Sequence, residues 1–572
     1  MRRLVYYPYM ASIVGKKRGE ATYYYLVESA RVNGKPRIVS QEYLGTAEEL
    51  AAAMRGGGLG LPDRIQHKDF GTVAAAWGLL EHLGVAGIID EVTGARRADA
   101  GAPVGTYLVL AALNRLADPC SKRGFADWWA TTAAPRFTKI PASVLDHRRF
   151  WDAMHAVTAE QLEEISRRIA LRMVALSGLD CSSVALDMTN FAAFIDTGNP
   201  KAPIAQRGKA KQKRSDLRLV GLGLVVTRDG GIPLTWHAYP GGRPDVTQFP
   251  AMVDQLRSQY EAICPATAGM TVVFDAGQNS EANFAHLAAA GLHYVGSVPA
   301  SDCPDLTVLP ASARTIVDKD RFGGLTALDT RRVTYGAERR AIVTHSPDLH
   351  AAQARGFDGT TLAKAGRKLD ELAATLARGR TRRGKDKVEA EIAAITARPW
   401  VRRVIGWELS GEQPRDLRLT WGIDTAARAA LEEELFGKHV LITDHDDWPV
   451  AEVIAAYRSQ SEAEFSFRQM KDPHAVSFSP MFHWTEHNIR VHMFTCVLAL
   501  QIAHLMRLTA HRAGLDLSVR ALLGELAGIG ETILLYQAGR GRPRAHRMLT
   551  GTTPVQDKLS DIFGLDRYAP RR

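Results

Sequence analysis

Residues 183–187, Ser-Val-Ala-Leu-Asp, form a short apolar run that ends in an acid, and residues 271–275, Thr-Val-Val-Phe-Asp, repeat the pattern. Short apolar runs of this kind, bounded by polar residues, predict buried β-strands. Between them, residues 217–226 and 232–239 predict two further strands, joined by a turn at Gly230-Gly231. A β-hairpin therefore separates the two runs that end in an acid.

The segments around the second run alternate between helix and strand. Residues 249–260 and 280–290 have the periodicity of helices, and residues 293–298 predict a fifth strand. Three antiparallel strands followed by alternating helix and strand is the order of a ribonuclease-H-like core. We therefore expect an α/β fold whose core is a mixed sheet flanked by helices.

Changes of periodicity and turn-rich stretches divide the rest of the chain. The predicted regions are an N-terminal β-rich unit, a helical domain that is a candidate for DNA binding, the first part of the core, a β-rich and helical insertion, the second part of the core and a basic helical tail. Their ranges are 1–65, 68–178, 180–300, 301–440, 441–510 and 511–572.

Composition indicates an ordinary soluble globular protein, since 46% of the 572 residues are hydrophobic and 23% are charged. There are 72 lysines and arginines against 62 aspartates and glutamates, a formal net charge of +10. This excess favours a polyanionic partner such as nucleic acid, although it is diluted over a long chain.

The location of the protein is predicted from its cysteines and its apolar stretches. Five scattered cysteines without a Cys-x-x-Cys pair indicate neither a disulfide framework nor a zinc knuckle, as is usual in the cytoplasm. The N-terminus is too polar for a secretory signal. The most apolar stretch, residues 491–508, includes two histidines, a glutamine and an arginine. We expect it to be a buried core helix, and we expect no membrane association.

One polar stripe is distinctive. The segment 455–471 reads Ala-Ala-Tyr-Arg-Ser-Gln-Ser-Glu-Ala-Glu-Phe-Ser-Phe-Arg-Gln-Met-Lys and predicts a helix. It places Tyr457, Glu464 and Lys471 at steps of seven, about two helical turns, so all three project from one face. A carboxylate between a phenol and an ammonium suits a metal ion beside a phosphate. The spacing also fits an ordinary amphipathic helix.

Three acids form a candidate metal site. Asp187 and Asp275 end apolar strands, and the carboxyl ends of strands line the ligand crevice of open α/β sheets. Glu464 from a packed helix could complete the set. Glu462 is a competitor, but it is offset from the stripe of Tyr457 and Lys471. Three carboxylates without a counter-charge repel one another and require protonation or a hard cation. Two Mg²⁺ ions, or Mn²⁺, are the expected cofactors.

Three loop acids, Asp196, Asp216 and Asp245, compete with the two strand-end aspartates for this site. Each of the two strand-end aspartates could also be a simple turn residue, because aspartate is common where strands end. Both fall at positions that the expected topology requires.

The chain resembles a DDE transposase of bacterial insertion sequences, in the group marked by Tyr-x2-Arg-x3-Glu-x6-Lys. Tyr457, Glu464 and Lys471 match this signature, and Gln460 occupies the arginine position. The resemblance runs from the N-terminal strands to the end of the Glu464 helix. Three segments also match the family: residues 187–190, residues 274–277 and residues 480–492.

The resemblance implies an activity and a set of partners. The activity is Mg²⁺-dependent DNA cleavage and strand transfer in cut-and-paste transposition, with Asp187, Asp275 and Glu464 as catalytic metal ligands. Tyr457 and Lys471 would contact DNA phosphates. The partners are double-stranded DNA, at the terminal inverted repeats and the target, and a second copy in a homodimer. In several relatives a DNA hairpin forms, and a tryptophan stacks on a displaced base; the candidates are Trp400, Trp407 and Trp421.

Two other functions remain open from the sequence. One is a metal-dependent DNA nuclease of the same fold without strand transfer. The other is a DNA-binding derivative that has lost catalysis, an alternative that Gln460 keeps open.

Basic runs are candidates for phosphate contacts or for solvated loops. The run nearest Asp187 contains Lys209, Lys211, Lys213 and Arg214, which we predict to bind DNA. Residues 378–387 and 540–547 are similar. His483 and His487, four residues apart, are expected to make structural polar contacts rather than bind a metal.

Overall fold

The computed structural model describes residues 10–18, 21–32, 35–47, 61–94, 101–196, 198–208, 216–263, 269–536 and 544–571. It is a mixed α/β protein, as predicted. The chain forms two compact units. The smaller comprises Met1–Ala74, Ala130–Lys139 and Glu525–Arg572, and the larger comprises Ala75–Trp129 and Ile140–Gly524. The six ranges inferred from the sequence stay a prediction.

Seventeen strands are described. In chain order they are β1 (Met10–Arg18), β2 (Ala21–Val32), β3 (Lys35–Thr46), β4 (Arg64–Asp69), β5 (Ser183–Ala193), β6 (Arg218–Thr227), β7 (Pro233–Pro240), β8 (Thr271–Phe274), β9 (His293–Val298), β10 (Thr315–Ile316), β11 (Thr326–Thr334), β12 (Ala337–His345), β13 (Ile405–Ser410), β14 (Arg418–Ile423), β15 (Lys438–Thr443), β16 (Gly530–Tyr536) and β17 (Arg544–Leu549).

The described α-helices are, in chain order, α1 (Gly71–His82), α2 (Val85–Thr93), α3 (Val104–Ala117), α4 (Phe125–Thr131), α5 (Ala134–Thr138), α6 (His147–His155), α7 (Ala159–Ser177), α8 (Phe249–Ile263), α9 (Glu281–Ala289), α10 (Pro304–Thr307), α11 (Lys319–Phe322), α12 (Pro347–Gly356), α13 (Ala363–Ala377), α14 (Lys385–Ile395), α15 (Pro399–Val404), α16 (Thr425–Leu435), α17 (Val450–Arg458), α18 (Gln460–Lys471), α19 (Glu486–Arg512), α20 (Val519–Ala527) and α21 (Pro554–Phe563). A π-helical turn, Phe357–Leu362, joins α12 to α13.

The smaller unit contains two antiparallel three-stranded sheets, with the orders β1-β2-β3 and β17-β16-β4. The second sheet corrects the prediction that residues 511–572 are helical, because β16 and β17 lie in this range. The reason is that β16 pairs with β4, more than 450 residues earlier in the chain. Glu531 on β16 is fully buried and pairs with Arg136 at 2.6 Å and with Arg547 at 2.8 Å.

The larger unit is built on a nine-stranded mixed sheet with the order β10-β11-β12-β15-β9-β8-β5-β6-β7. The strands β5, β8 and β9 are parallel to one another, and every other neighbouring pair is antiparallel. All five strands predicted between residues 183 and 298 are present. The first is longer than expected, because β5 continues beyond Asp187 to Ala193, where it pairs with β6.

The predicted insertion, residues 301–440, has two separate parts. Strands β10, β11 and β12 extend the central sheet and connect it to β15. Residues 357–436 have a hydrophobic core of their own, which includes Leu369, Leu376, Ile392 and Phe436. The hairpin of β13 and β14 packs on this core. We call residues 347–436 the helical lobe.

Helix α19 is the longest of the described helices and carries the most apolar stretch of the chain. By length and composition it could cross a bilayer, but 94% of its most apolar window is buried inside the protein. His504 is fully buried, and its Nδ1 donates to the carbonyls of Gly230 and Gly231 at 3.0 and 2.8 Å. The β6–β7 turn thus accepts hydrogen bonds from polar side chains of this helix. The consecutive α1 and α2 also pass the length and composition test together, as a pair bent by 53°.

Candidate active site

The two predicted aspartates are neighbours in the central sheet. The parallel pair of β5 and β8 runs from Ser183 opposite Thr271 to Leu186 opposite Phe274. Asp187 and Asp275 are the next residues, and the backbone of Asp275 is still extended. Paired residues of adjacent strands lie about 4.8 Å apart and project to the same face. The two carboxylates therefore lie side by side where β8 ends.

A third residue continues this row. On the parallel pair of β8 and β9, Phe274 lies opposite Gly296, so Ser297 follows in register with Asp275. The Ser297 hydroxyl donates to Asp275 Oδ1 at 3.1 Å, and the Ala276 amide donates to the same oxygen at 2.7 Å. Asp187 Oδ1 accepts from the Met188 amide at 2.7 Å. These bonds orient the two carboxylates.

Helix α18 lies along β5, and a side chain near each of its ends bonds to this strand. The Gln460 Nε2 donates to the Leu186 carbonyl at 3.0 Å, and the Lys471 Nζ donates to the Thr189 hydroxyl at 2.8 Å. These two contacts flank Asp187. Glu464 is four residues after Gln460 and therefore lies on the same face of the helix.

The pKa of Tyr457 responds to two of the acids. Burial raises the pKa of its phenol, the charges of Asp275 and Glu464 raise it further, and a hydrogen bond with Ser297 opposes the shift. The phenol therefore lies close to both carboxylates. The structure brings Asp187, Asp275, Glu464 and Tyr457 together at one edge of the sheet. We call Asp187, Asp275, Glu464, Ser297 and Tyr457 the carboxylate edge.

The single helix predicted over residues 455–471 is interrupted. Helix α17 ends at Arg458, α18 begins at Gln460, and the turn at Ser459 separates them. The Ser459 amide and hydroxyl both donate to the Ala456 carbonyl, at 3.0 and 2.6 Å, and this tightens the turn. Tyr457 therefore lies on α17, whereas Glu464 and Lys471 lie on α18.

Gln460, the departure from the family signature, has a structural role. It is 6% exposed, and its amide holds α18 to the strand that carries Asp187. An arginine here would place a charge in a buried position without an acid bonded to it. Arg458, which could have supplied the missing charge, instead stacks over Phe322 at 4.6 Å.

The predicted DNA contacts are only partly described. Lys471 lies over the ring of Phe191 at 5.6 Å as well as donating to Thr189. Lys209, Lys211, Lys213 and Arg214 lie outside the described residues. In the run 378–387, Arg383 pairs with Glu391 and Lys385 pairs with Glu412.

The competing acids have other partners. Glu462 forms a 2.8 Å ion pair with Arg507 of α19, on a different face of α18 from Glu464. Asp245 accepts from the Tyr239 hydroxyl at 2.7 Å. Burial raises the pKa of Tyr239, and the charges of Asp245 and Asp187 raise it further, which places Asp245 near the carboxylate edge.

Three nearby residues were not found from the sequence: Ser297, Tyr239 and His439. Burial lowers the pKa of His439, and the charge of Asp275 opposes this shift. Ser297 had a usable signal, because it lies at the end of a predicted strand, as the aspartates do. The approach of Tyr239 and His439 depends on strand register, which the sequence does not specify.

The donor set suits a hard cation. Carboxylate oxygens are the preferred ligands of Mg²⁺. Within the described part of the chain, neither Asp275 nor Glu464 forms an ion pair with a lysine, arginine or histidine, so no described residue neutralises these two charges by direct pairing. The residues present therefore fit the divalent metal that the sequence predicts.

A second group of possible metal ligands lies at the opposite ends of the parallel strands. It consists of His293, Asp444 and His445. His293 Nδ1 is 3.0 Å from Asp444 Oδ2, and His445 Nε2 is 2.7 Å from the hydroxyl of Thr271, the first residue of β8. Because Asp275 follows the other end of β8, this group is separate from the carboxylate edge.

The tryptophans proposed for base stacking lie in the helical lobe. Trp400 and Trp421 pack against its hydrophobic core, and the Trp421 indole donates to Asp370 at 3.0 Å. Trp407 is 40% exposed. The structure therefore leaves Trp407 as the most accessible of the three.

Comparisons with known proteins find little sequence similarity. No protein-family model matches the sequence, and no curated protein matches it. Among solved structures, the chain is similar to a piggyBac transposase in a synaptic complex with hairpin DNA, at 8% sequence identity and a TM-score of 0.35. The match covers 81% of this chain and 82% of that chain. At this TM-score the likeness carries no argument about function.

Proposed function

We propose that the chain is a DNA transposase of a bacterial insertion sequence, which cleaves DNA and transfers the cut strand with Asp187, Asp275 and Glu464 as its catalytic carboxylates. The observation that carries the proposal is the register of β5 and β8, which sets Asp187 beside Asp275. The bonds from α18 to Leu186 and Thr189 then bring Glu464 to the same edge.

The strand order supports a ribonuclease-H-like core. The strands β7, β6 and β5 form an antiparallel meander, and β8 and β9 continue the sheet in parallel on the other side of β5. This is the order expected of that core, with Asp275 directly after β8 and Asp187 beside it within the longer β5.

The metal proposal follows from the charges. Asp187, Asp275 and Glu464 would hold two Mg²⁺ or Mn²⁺ ions. Bound there, the ions would supply activation of the attacking oxygen and stabilisation of the leaving oxygen in an in-line phosphoryl displacement. Ser297 fixes one oxygen of Asp275, so that residue presents its other oxygen to a ligand.

The remaining residues of the site have positioning and binding roles in this proposal. The charges of Asp275 and Glu464 both act on the Tyr457 phenol, and in this proposal its hydroxyl donates to a DNA phosphate. Lys471 supplies positive charge beside Asp187, and Lys209, Lys211, Lys213 and Arg214 add phosphate contacts. The partner is double-stranded DNA, the active form is a homodimer and the location is the bacterial cytoplasm, with no membrane association.

Cleavage by single variants tests the proposal. The substrate is a supercoiled plasmid that carries the chromosomal DNA flanking the coding sequence. We expect Mg²⁺-dependent cleavage by the wild type and a loss of at least about a thousand-fold in Asp187→Ala, Asp275→Ala and Glu464→Ala. DNA binding should persist, because the basic residues remain. Cleavage retained by any one variant removes that residue from the catalytic set.

A second assay separates a transposase from a nuclease of the same fold. A donor fragment with the flanking ends is incubated with a target plasmid and Mg²⁺. Covalent joining of donor to target supports strand transfer. Cleavage without joined product assigns the site to a nuclease.

A further inference from the structure

A large cavity in the larger unit has the opposite charge from the carboxylate edge. It has a volume of about 690 Å³ and is lined by segments of α3, α6 and α19, by the loop after α3 and by residues 480–485. Its basic lining residues include Arg115, Lys122, Arg123, His483 and His492. No acid is among the residues that line it in the described part of the chain. We call it the basic cavity.

Arg115 is buried and bonds to neutral groups, while the charge of Asp118, which does not line the cavity, also acts on it. Arg115 is 1% exposed, and its guanidinium donates to the Ser479 carbonyl at 3.2 Å and to Asn114 Oδ1 at 2.8 Å. Its Nε is buried and has no hydrogen-bond partner among the described residues. A buried N–H group without an acceptor is costly, and an anion in the cavity would remove that cost.

Lys122 gives a second observation. Its ammonium lies 5.3 Å from the centre of the Phe150 ring. Burial and, to a smaller extent, the charge of Arg115 lower its pKa to about 7. Because ammonium groups bury poorly without a counter-charge, the cavity is built to receive negative charge.

Aromatic rings border the cavity. Trp484 is 51% exposed and Phe482 is 62% exposed, although both are large and apolar. The carbonyl of Trp484 accepts from Asn199 Nδ2 at 2.6 Å, which fixes this loop. Exposed aromatic faces beside cations are the features that bind bases and phosphates of single-stranded nucleic acid.

The cavity is connected to the proposed catalytic strand. The Phe194 amide, one residue beyond β5, donates to the Met481 carbonyl at 3.3 Å, and Phe194 contacts Phe482 at 5.9 Å between ring centres. Phe194 is seven residues after Asp187, a distance of roughly 20 Å along the strand. A DNA strand that passes the carboxylate edge could reach this cavity.

We infer that the basic cavity binds one nucleotide of a DNA strand, with its phosphate against Lys122 and Arg115 and its base against Trp484. The choice of DNA as the source rests on the proposed function. The shared chemistry is a phosphate with an attached planar base, which a free nucleoside monophosphate also offers.

Equilibrium binding of a fluorescein-labelled oligothymidylate tests the inference. The measurement is made in a chelator, so that no metal-dependent step contributes. Trp484→Ala and Lys122→Met should each weaken binding about ten-fold. Their matched controls are Ile423→Ala, which truncates an exposed apolar side chain of the helical lobe, and Lys364→Met, an exposed lysine of the same lobe. Both controls should bind as the wild type does.

Competition identifies the source of the nucleotide. Thymidine monophosphate should compete weakly and inorganic phosphate more weakly still, because each offers only part of the ligand. Binding of free monophosphate without binding of the oligonucleotide overturns DNA as the source. Equal binding of the oligonucleotide by all four variants overturns the cavity as the site.

Two further measurements distinguish a loss of oligonucleotide binding from misfolding and from a failure of the proposed catalytic site. Lys122→Met removes a charge from an apolar environment and keeps the length of the side chain, so its Tm should equal or exceed that of the wild type. Asp187→Asn should bind the oligonucleotide normally. If that variant retains cleavage while the cavity variants lose binding, the proposed catalytic site fails and the cavity proposal stands.

Discussion

The carboxylate edge and the basic cavity carry opposite charges, and each lacks a paired counter-charge among its described residues. At the edge, Asp275 and Glu464 are exposed acids, and neither is paired with a cation in the described part of the chain. In the cavity, Arg115 is a buried cation and Lys122 a partly buried one, and no acid is among the described residues that line it. Proteins rarely leave charges of one sign together unless a ligand supplies the other. The edge suits a cation, and the cavity suits an anion.

The largest expected effect comes from replacing one acid of the carboxylate edge by its amide. Glu464→Gln should reduce cleavage by about a thousand-fold while leaving Tm unchanged or higher, since it removes charge repulsion at the edge. Its control on the same helix is Glu462→Gln, which breaks the ion pair with Arg507. The control should keep cleavage within about two-fold and lose about 1 kcal/mol of stability. Equal loss of cleavage in both variants contradicts the assignment of Glu464.

A variant of Gln460 tests whether the hydrogen bond from α18 to β5 positions the carboxylate edge. Gln460→Leu leaves the buried Leu186 carbonyl without its donor, so we expect a loss of about 1–3 kcal/mol in the free energy of unfolding. Because Glu464 would shift relative to Asp187, cleavage should fall by about a hundred-fold. Arg468→Ala, at an exposed position of the same helix, is the control. Wild-type cleavage by Gln460→Leu would show that this hydrogen bond does not position Glu464.

Low pH should destabilise the folded protein through a histidine of the basic cavity. Burial lowers the pKa of His483 to about 3, and the charges of Lys122 and Arg115 lower it further. The unfolded chain binds this proton below its usual pKa of about 6.5, so stability is lost as pH falls from there. We expect about 1.4 kcal/mol per pH unit from this group.

Chemical denaturation between pH 4 and pH 7 measures this slope. His483→Gln should flatten it, whereas His511→Gln, an exposed histidine at the end of α19, should not. An unchanged slope in His483→Gln contradicts the burial of a neutral imidazole in the cavity.

The smallest expected effect is on the pH dependence of oligonucleotide binding. Lys122 has a pKa of about 7 in the free protein, so it loses its charge as pH rises through 7. Its charged neighbours are Arg115 and Arg123, while the imidazoles of His483 and His492 and the thiols of Cys120 and Cys496 near it are neutral in this range. Affinity should fall by several-fold up to about ten-fold between pH 6 and pH 8. The affinity of Lys122→Met for the oligonucleotide should therefore vary less with pH. If its affinity varies with pH as that of the wild type does, Lys122 is not the group that titrates.

The sequence was sufficient for the five strands around the edge, although β5 continues beyond Asp187, and the catalytic role of the acids stays a prediction. Apolar runs ending in Asp187 and Asp275 are local patterns, and the signature around Glu464 is local as well. Ser297 and Gln460 acquire their roles only through strand register and helix packing, which no local pattern specifies. Likewise, β16 was missed because its partner β4 is distant in the chain.

The basic cavity could not be predicted for the same reason. Arg115 and Lys122 are separated from His483 and Trp484 by more than 350 residues, and only the packing of α3 against α19 brings them together. Neither group is unusual in its own segment. The sequence showed His483 only as one of two histidines at a spacing of four, and its burial beside cations is a property of the fold.

Metal binding tests the central claim most directly, because it does not require the DNA substrate to be known. Titration of Mn²⁺, followed by the electron paramagnetic resonance signal of the free ion, should show ions bound by the wild type and lost in Asp275→Asn and Glu464→Gln. Glu462→Gln should bind them normally. Undiminished Mn²⁺ binding in both Asp275→Asn and Glu464→Gln would contradict a metal centre at the carboxylate edge.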